Sequence, residues 1–374
     1  MSEADLLPDP TRIEGAPHPR DTARLLGQPR AEADFLDAFT TGRMHHAWML
    51  TGPQGVGKAT LAWRIARFLL TRPRDDGGLF GAPEPPQTLD TDPDHPVCRR
   101  IHAGSESTVF TLKRGPNDKG NALSQDIRVN EVRKLSNFLH LSAAEGGRRV
   151  VIVDAADDMN TQAANALLKL LEEPPPAVTF LMVTHQPARL LPTIRSRCRE
   201  LRLQTLMPED MAEALALAED GAPPEVNTLA LSALSGGSIG EAIRLINLDG
   251  LESYARLVAI LSSLPRLDRL GAIALADSIA GKANEARYDL TLHLIDLFLA
   301  RLARAGVSGP PQPEAAEGEA RLLARLSPDA QAAMKWARLH QSLGATARHG
   351  RAVNLDPAAL VMDMVLEITA AASA

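Results

Sequence analysis

Short, unbroken apolar runs punctuate the first two hundred residues: Ala47-Trp48-Met49-Leu50, Val150-Val151-Ile152-Val153 and Phe180-Leu181-Met182-Val183. Apolar runs of this length without alternation predict strands covered on both faces, the habit of a parallel sheet. Shorter strands are predicted over Val109–Leu112 and Glu200–Leu203. Helical patterns fill the intervals: Leu25 to Phe39, Lys58 to Leu70, Val129 to Leu139, and Thr161 to Glu173 with Pro174-Pro175-Pro176 behind it. Three prolines cannot continue a helix, so that boundary is firm. Strand–helix–strand alternation predicts an α/β domain over residues 25–205, with a parallel sheet and helices on both faces.

The pattern fails in three places and changes in a fourth. Residues 1–24 carry Pro8, Pro10, Pro17 and Pro19 among charges and predict a flexible arm. Residues 72–100 are rich in Pro, Gly and Asp without periodicity, part of an inserted loop reckoned over about 72–125. After Pro208 come short helices, split at Gly221-Ala222-Pro223-Pro224 and Gly236-Gly237, which predict a small helical lid over 206–250. From Leu251 the chain is Ala/Leu-rich and helical, broken at Gly309-Pro310-Pro311-Gln312-Pro313, which predicts an all-helical C-terminal domain over 251–374. Leu290, Leu294, Leu297 and Leu302 are read first as that domain's own core.

Composition narrows the class. In 374 residues, aromatics are only 3%, so the cores are built from Leu, Ala, Ile and Val, which suits helices better than sandwiches or barrels. Lys and Arg number 40 against 46 Asp and Glu, a net charge of −6. No overall basic field attracts nucleic acid, so any part in DNA metabolism is expected to run through protein partners. Cys98 and Cys198 lie a hundred residues apart and make neither a disulfide framework nor a closed zinc site by themselves. No signal peptide and no bilayer-length apolar run is read, and a cytoplasmic protein without a membrane partner is the expectation.

Candidate chemistry gathers at one place. Gly52-Pro53-Gln54-Gly55-Val56-Gly57-Lys58 follows a predicted strand and opens a predicted helix, the setting of a phosphate-binding loop. Its glycines let backbone N–H groups close around phosphate oxygens, and Lys58 would neutralise the outer phosphates. The next residue should carry a hydroxyl for Mg²⁺, but it is Ala59, and Thr60 stands about 100° further round the helix. Val150–Val153 ends in Asp154, a carboxylate placed to hold the metal through water, yet the following position is Ala155, which cannot orient an attacking water. Asp157 and Asp158 are expected to point elsewhere.

Two longer stretches carry a resemblance. Asn165-Ala166-Leu167-Leu168-Lys169-Leu170-Leu171-Glu172-Glu173-Pro174-Pro175 and Leu191-Pro192-Thr193-Ile194-Arg195-Ser196-Arg197-Cys198 resemble the corresponding segments of the AAA+ clamp-loader subunits of bacterial DNA polymerase III. The likeness covers residues 25 to 250 well and the C-terminal third only in general character. It implies a RecA-like α/β AAA+ domain, a helical lid and a collar-like helical domain. The family's γ/τ motors carry Ser or Thr after the loop lysine, Glu after the strand's Asp, and Arg in a Gly-Ser-x-Arg motif. Here stand Ala59, Ala155 and, in Gly237-Ser238-Ile239-Gly240, a glycine.

Those three losses point to the δ′-type branch, similar in fold but without clear ATPase activity. The resemblance implies γ/τ and δ partners, with the sliding clamp and primed DNA met through the complex. It places Thr184 at a sensor position and makes Arg197 a catalytic group acting in trans on a neighbour's ATP, the role an always-charged, forked guanidinium suits. Whether Gly52 to Thr60 with Asp154 hold ATP or ADP with Mg²⁺, without hydrolysis, or nothing, stays open. Many relatives carry a four-cysteine zinc module; Cys98 alone matches it, with His95 nearby, and zinc is not expected. Two alternatives remain: an active γ/τ-like ATPase using Thr60 and Asp157, and a DNA-binding AAA+ module using Arg148-Arg149 and the arginines from Arg195 to Arg202.

Overall fold

The computed structural model describes residues 7–22, 24–72, 85–141, 147–218 and 227–373. They form two compact units. The first holds the described residues to 218 together with Ser238–Gly240, and the second holds the rest from 227 onward.

The first unit is built on five parallel strands: β1 (Ala47–Thr51), β2 (Val109–Leu112), β3 (Arg149–Asp154), β4 (Val178–Val183) and β5 (Arg199–Arg202), in the order β2-β3-β4-β1-β5. Asp154 stands opposite Val183, and Val183 opposite Leu50, so β1, β3 and β4 end level. The three runs read as buried strands are those three, and the apolar residues of each are buried throughout. Among the described residues seven α-helices belong to this unit: α1 (Pro29–Thr40), α2 (Lys58–Thr71), α3 (Pro96–His102), α4 (Val129–Leu141), α5 (Thr161–Glu172), α6 (Pro192–Arg195) and α7 (Pro208–Ala218). On one face Met49, Val151, Val153, Phe180 and Met182 pack with Leu135, Leu139, Leu167 and Leu171 from α4 and α5. The Asn160 side chain accepts from the Ala163 N–H at 2.9 Å and so fixes where α5 begins.

Several boundaries differ from the sequence reading. The first helix starts at Pro29, not Leu25, because Gly27 has a positive φ and Pro29 fits the first helical position. Within the expected inserted loop, α3 forms with Pro96 at its start and His95 capping the Val97 N–H; part of that loop, residues 73–84, lies outside the described residues. From Leu7 to Thr22 the expected flexible arm is held against the first unit. Asp9 pairs with Lys113 at 2.7 Å, and Arg67 donates to the carbonyls of Arg20 and Thr22 at 2.6 and 2.8 Å.

The second unit is helical throughout its described length: α8 (Thr228–Ser235), α9 (Ile239–Asn247, whose first two residues group with the first unit), α10 (Gly250–Ser262), α11 (Arg269–Ser278), α12 (Glu285–Ser308), α13 (Glu319–Leu326), α14 (Ala330–Ala352) and α15 (Pro357–Ser373). The lid expected over 206–250 therefore divides, with α7 in the first unit and α8 in the second. Leu290, Leu294 and Leu302 are core residues of α12, as read; so are Met364 and Val365 of α15. A buried polar knot joins α10, α12 and α13. Glu319 accepts from Arg301 Nε at 2.6 Å, Arg301 Nη2 at 2.9 Å, Tyr254 Oη at 2.6 Å and the Ala315 N–H at 2.7 Å. Among the described residues no single helix is long and apolar enough to cross a membrane.

Candidate functional site

The loop between β1 and α2 has the shape its sequence predicts. Gly52, Gly55 and Gly57 adopt φ of +137°, +75° and +94°, a backbone region that side-chain-bearing residues rarely enter. The turn ends at Lys58, where the first N–H groups of α2 have no partner within the helix and favour an anion. Val56 is buried; Pro53 and Gln54 are exposed. Gln28, only 4% exposed, ties the loop down. Its amide donates to the Val56 carbonyl at 3.3 Å and the Gln204 carbonyl at 2.7 Å, and accepts from the Gln204 N–H at 2.9 Å. Sequence reasoning missed Gln28, because its partner across the sheet is 176 positions away.

The lysine of the loop faces inward. Lys58 Nζ donates to the Gly52 carbonyl at 2.7 Å and also to that of Pro53. Burial lowers its pKa to about 8 against the opposing pull of Asp157 and Asp154. Asp154, at the end of β3, is pushed up to about 6 by burial, while Lys58 favours its charged form. Lys58 and Asp154 are thus brought to one place, as read, each favouring the charged form of the other. Thr184 follows β4, fully buried, its N–H bonded to the Leu50 carbonyl at 3.0 Å. Its hydroxyl makes no well-formed hydrogen bond among the described residues yet lies near enough to Asp157 to favour that carboxylate's charge.

The metal half of the site is poorer. Ala59 and Ala155 offer no side-chain oxygen, and Thr60 is half-buried on the first turn of α2. Asp157, the carboxylate an active enzyme would have to recruit, is occupied. It is 7% exposed and accepts from the N–H groups of His185 at 3.0 Å and Gln186 at 3.2 Å, bonds that hold its pKa low despite burial. Asp158 pairs with Arg114 at 3.4 Å. The sensor-like segment closes on the loop: Gly240 N–H donates to the Gly55 carbonyl at 3.1 Å. A Cβ added at Gly240 would lie 2.8 Å from Ile13 Cδ1 and 3.0 Å from Gly55 Cα, so a side chain there would displace Ile13 and crowd the loop backbone. The loop turns its backbone as a phosphate-binding loop does, while Ala59 and Ala155 offer no side-chain oxygen beside it.

Arg197 lies just past α6 on the surface of the first unit, half-buried. Its Nη1 donates to the Thr193 carbonyl at 2.9 Å and its Nη2 pairs with Glu172 Oε1 at 2.9 Å. Both partners are local, one from α6 and one from the end of α5. Cys198 beside it packs inward, Sγ 3.6 Å from Met182 Sδ, and burial pushes its thiol up to about 12, which removes it as a nucleophile. Cys98 is buried against Thr91, and the His95 ring caps α3. Of the arginines considered for DNA contact, Arg149 is buried and donates to the Leu139 and Pro176 carbonyls.

Comparison with known proteins finds subunits of DNA polymerase III. Residues 27–207 match a family profile described as DNA polymerase III, delta subunit. The chain is 36% identical to DNA polymerase III subunit delta′ of Pseudomonas aeruginosa over 62% of this chain and 65% of that protein. It is 32% identical to subunit delta′ of Escherichia coli K12 over 64% of this chain and 67% of that one. It is also 27% identical to subunit gamma of Buchnera aphidicola over 61% and 58%. The matched part spans about two thirds or less of these relatives' own length.

Proposed function

Because this chain belongs to the delta′ subunits of DNA polymerase III, we propose that it works as the non-hydrolysing AAA+ member of a cytoplasmic clamp loader. In this reading it stands in a hetero-oligomer with γ/τ and δ subunits. The complex opens the sliding clamp and places it on primed DNA, and this chain meets clamp and DNA through its partners.

Two parts of the chain divide the work. A nucleotide phosphate in the loop from Gly52 to Lys58 would be a structural ligand. A bound nucleotide with Mg²⁺ would supply charge for Lys58 and Asp154 to balance, and the chain's own residues would bind it without activating water. Arg197 serves a neighbour. The observation that supports this best is the state of its guanidinium: it has five N–H donors, two engaged by Thr193 and Glu172, at a half-exposed position. The other three have no partner among the described residues and would serve phosphate oxygens of a γ/τ-bound ATP, where charge develops during phosphoryl transfer.

The test is reconstitution. ATP hydrolysis is measured for the purified chain, for γ/τ with δ, and for all three with clamp and primed DNA. The chain alone is expected to show no turnover, and its addition is expected to raise hydrolysis by the complex about tenfold or more, the scale of one well-placed charge. Turnover by the chain alone at the rate of the complex would replace this reading with that of an active γ/τ-like ATPase.

A further inference from the structure

We propose that Glu172 is a positioning residue for Arg197, fixing its guanidinium in the orientation a neighbouring subunit's nucleotide will meet. The inference rests on the trans-acting reading of Arg197 given above and names a second residue of that site.

Glu172 is the last residue of α5, and Glu173 follows it. Carboxylates at a helix C-terminus oppose the helix dipole, so α5 by itself gains nothing from an acidic residue there. A residue that breaks a local rule calls for a compensating contact. That contact is Arg197 Nη2, 2.9 Å from Glu172 Oε1. The Thr193 carbonyl takes Nη1 at 2.9 Å, so the planar fork is held at two points from two different elements, α5 and α6.

The backbone beneath is fixed as well. Arg197 N–H donates to the Ile194 carbonyl at 3.0 Å, and Cys198 anchors the next position against Met182. What remains to be ordered is the arginine side chain alone, and Glu172 orders it. Both side chains are more than a third exposed, at 36% and 44%, so the pair contributes little to the stability of the chain. Its value lies in pre-organisation: an arginine already in place loses less freedom when the interface forms. Loss of Glu172 should therefore slow the partner's chemical step while leaving fold and assembly intact.

The experiment uses the complete loader with clamp, primed DNA and ATP. Steady-state kcat and KM for ATP are compared for the wild-type chain, Glu172→Ala, Glu172→Gln, Glu172→Asp, Arg197→Ala and the Glu172→Ala/Arg197→Ala double variant. Arg197→Ala is expected to lower kcat about tenfold or more. Glu172→Ala and Glu172→Gln should each lower kcat roughly three- to tenfold with KM unchanged, the mark of a group needed only in the transition state. Glu172→Asp should recover a large part of the loss, and the double variant should be no slower than Arg197→Ala. Gel filtration and thermal melts confirm that each variant folds and assembles. An unchanged rate with Arg197→Ala would remove the trans-acting reading and this inference together. A fall with Arg197→Ala but an unchanged or faster rate with Glu172→Ala and Glu172→Gln would overturn the role of Glu172 alone.

Discussion

Replacing Glu319 with Ala removes the centre of the knot that joins α10, α12 and α13. In the native chain Glu319 is fully buried and accepts four hydrogen bonds, two from an Arg301 that is itself only 4% exposed. Arg301 makes one further bond, to the Ala233 carbonyl at 3.3 Å, which cannot balance its charge. The variant leaves a buried guanidinium without a counter-ion and strands the Tyr254 hydroxyl and the Ala315 N–H. Breaking a buried pair from one side costs about 3–5 kcal/mol, far more than the pair's net worth. At roughly 2–4 °C per kcal/mol for units of this size, the melting temperature should fall by about 6–20 °C.

The assay is thermal unfolding of the full chain by circular dichroism, with hydrogen exchange to localise the loss. Protection should fall in α10, α12 and α13, while the amides of β1, β3 and β4 keep theirs. The paired replacement Arg301→Met with Glu319→Leu should recover the part of the loss due to the unpaired charge and no more, because the Tyr254 hydroxyl and the Ala315 N–H still lack the acceptor that Glu319 gave them. A loss below about 1 kcal/mol for Glu319→Ala, the range of an exposed pair, would refute the reasoning.

Asp157→Ala should destabilise the first unit by about 1–3 kcal/mol, because the His185 and Gln186 N–H groups lose their acceptor. Since folding lowers the pKa of Asp157, its contribution is present above the usual carboxylate range and lost as pH falls through the folded value; acid titration of wild type against variant checks this. For Lys58 the sign is opposite to that of a paired lysine. Folding lowers its pKa from 10.5 to about 8, so the unfolded chain binds more protons between those values and stability gains as pH rises across them. The wild type should gain up to roughly 3 kcal/mol over Lys58→Met in that window, measured by denaturant titration at several pH values. Asp154, raised to about 6, should behave so that Asp154→Asn stabilises the chain at pH 7, seen as a higher melting temperature. Any nucleotide affinity, measured by calorimetry, should weaken above about pH 8 as Lys58 loses its proton.

How far the sequence foretold this molecule varies with the range of the interactions. β1, β3 and β4 were legible because a strand covered on both faces leaves an unbroken apolar run. The phosphate loop was legible because its glycines serve a local turn, and the losses at Ala59, Ala155 and Gly240 are single positions in known spacing. The hold on the arm was not legible. Asp9 meets Lys113, and Arg67 meets the carbonyls of Arg20 and Thr22, pairs that only the fold brings together. Gln28 escaped for the same reason. Both partners of the Glu172–Arg197 pair stood in the stretches that carry the family resemblance, yet their contact depends on how α5 and α6 pack. The grouping of α7 with the first unit and α8 with the second was not legible, because periodicity marks helices and does not say which unit buries them.

The most direct measurement sets the chain's two charged sites against each other in the assembled loader. ATP hydrolysis is followed in a single turnover with clamp and primed DNA, using Arg197→Ala and Lys58→Ala chains whose assembly has been confirmed. If catalysis belongs to a neighbour's nucleotide, Arg197→Ala should slow the step about tenfold or more while Lys58→Ala leaves it within about twofold. The reverse pattern, a loss with Lys58→Ala and none with Arg197→Ala, would place the chemistry in this chain's own phosphate loop and contradict the proposed division of labour.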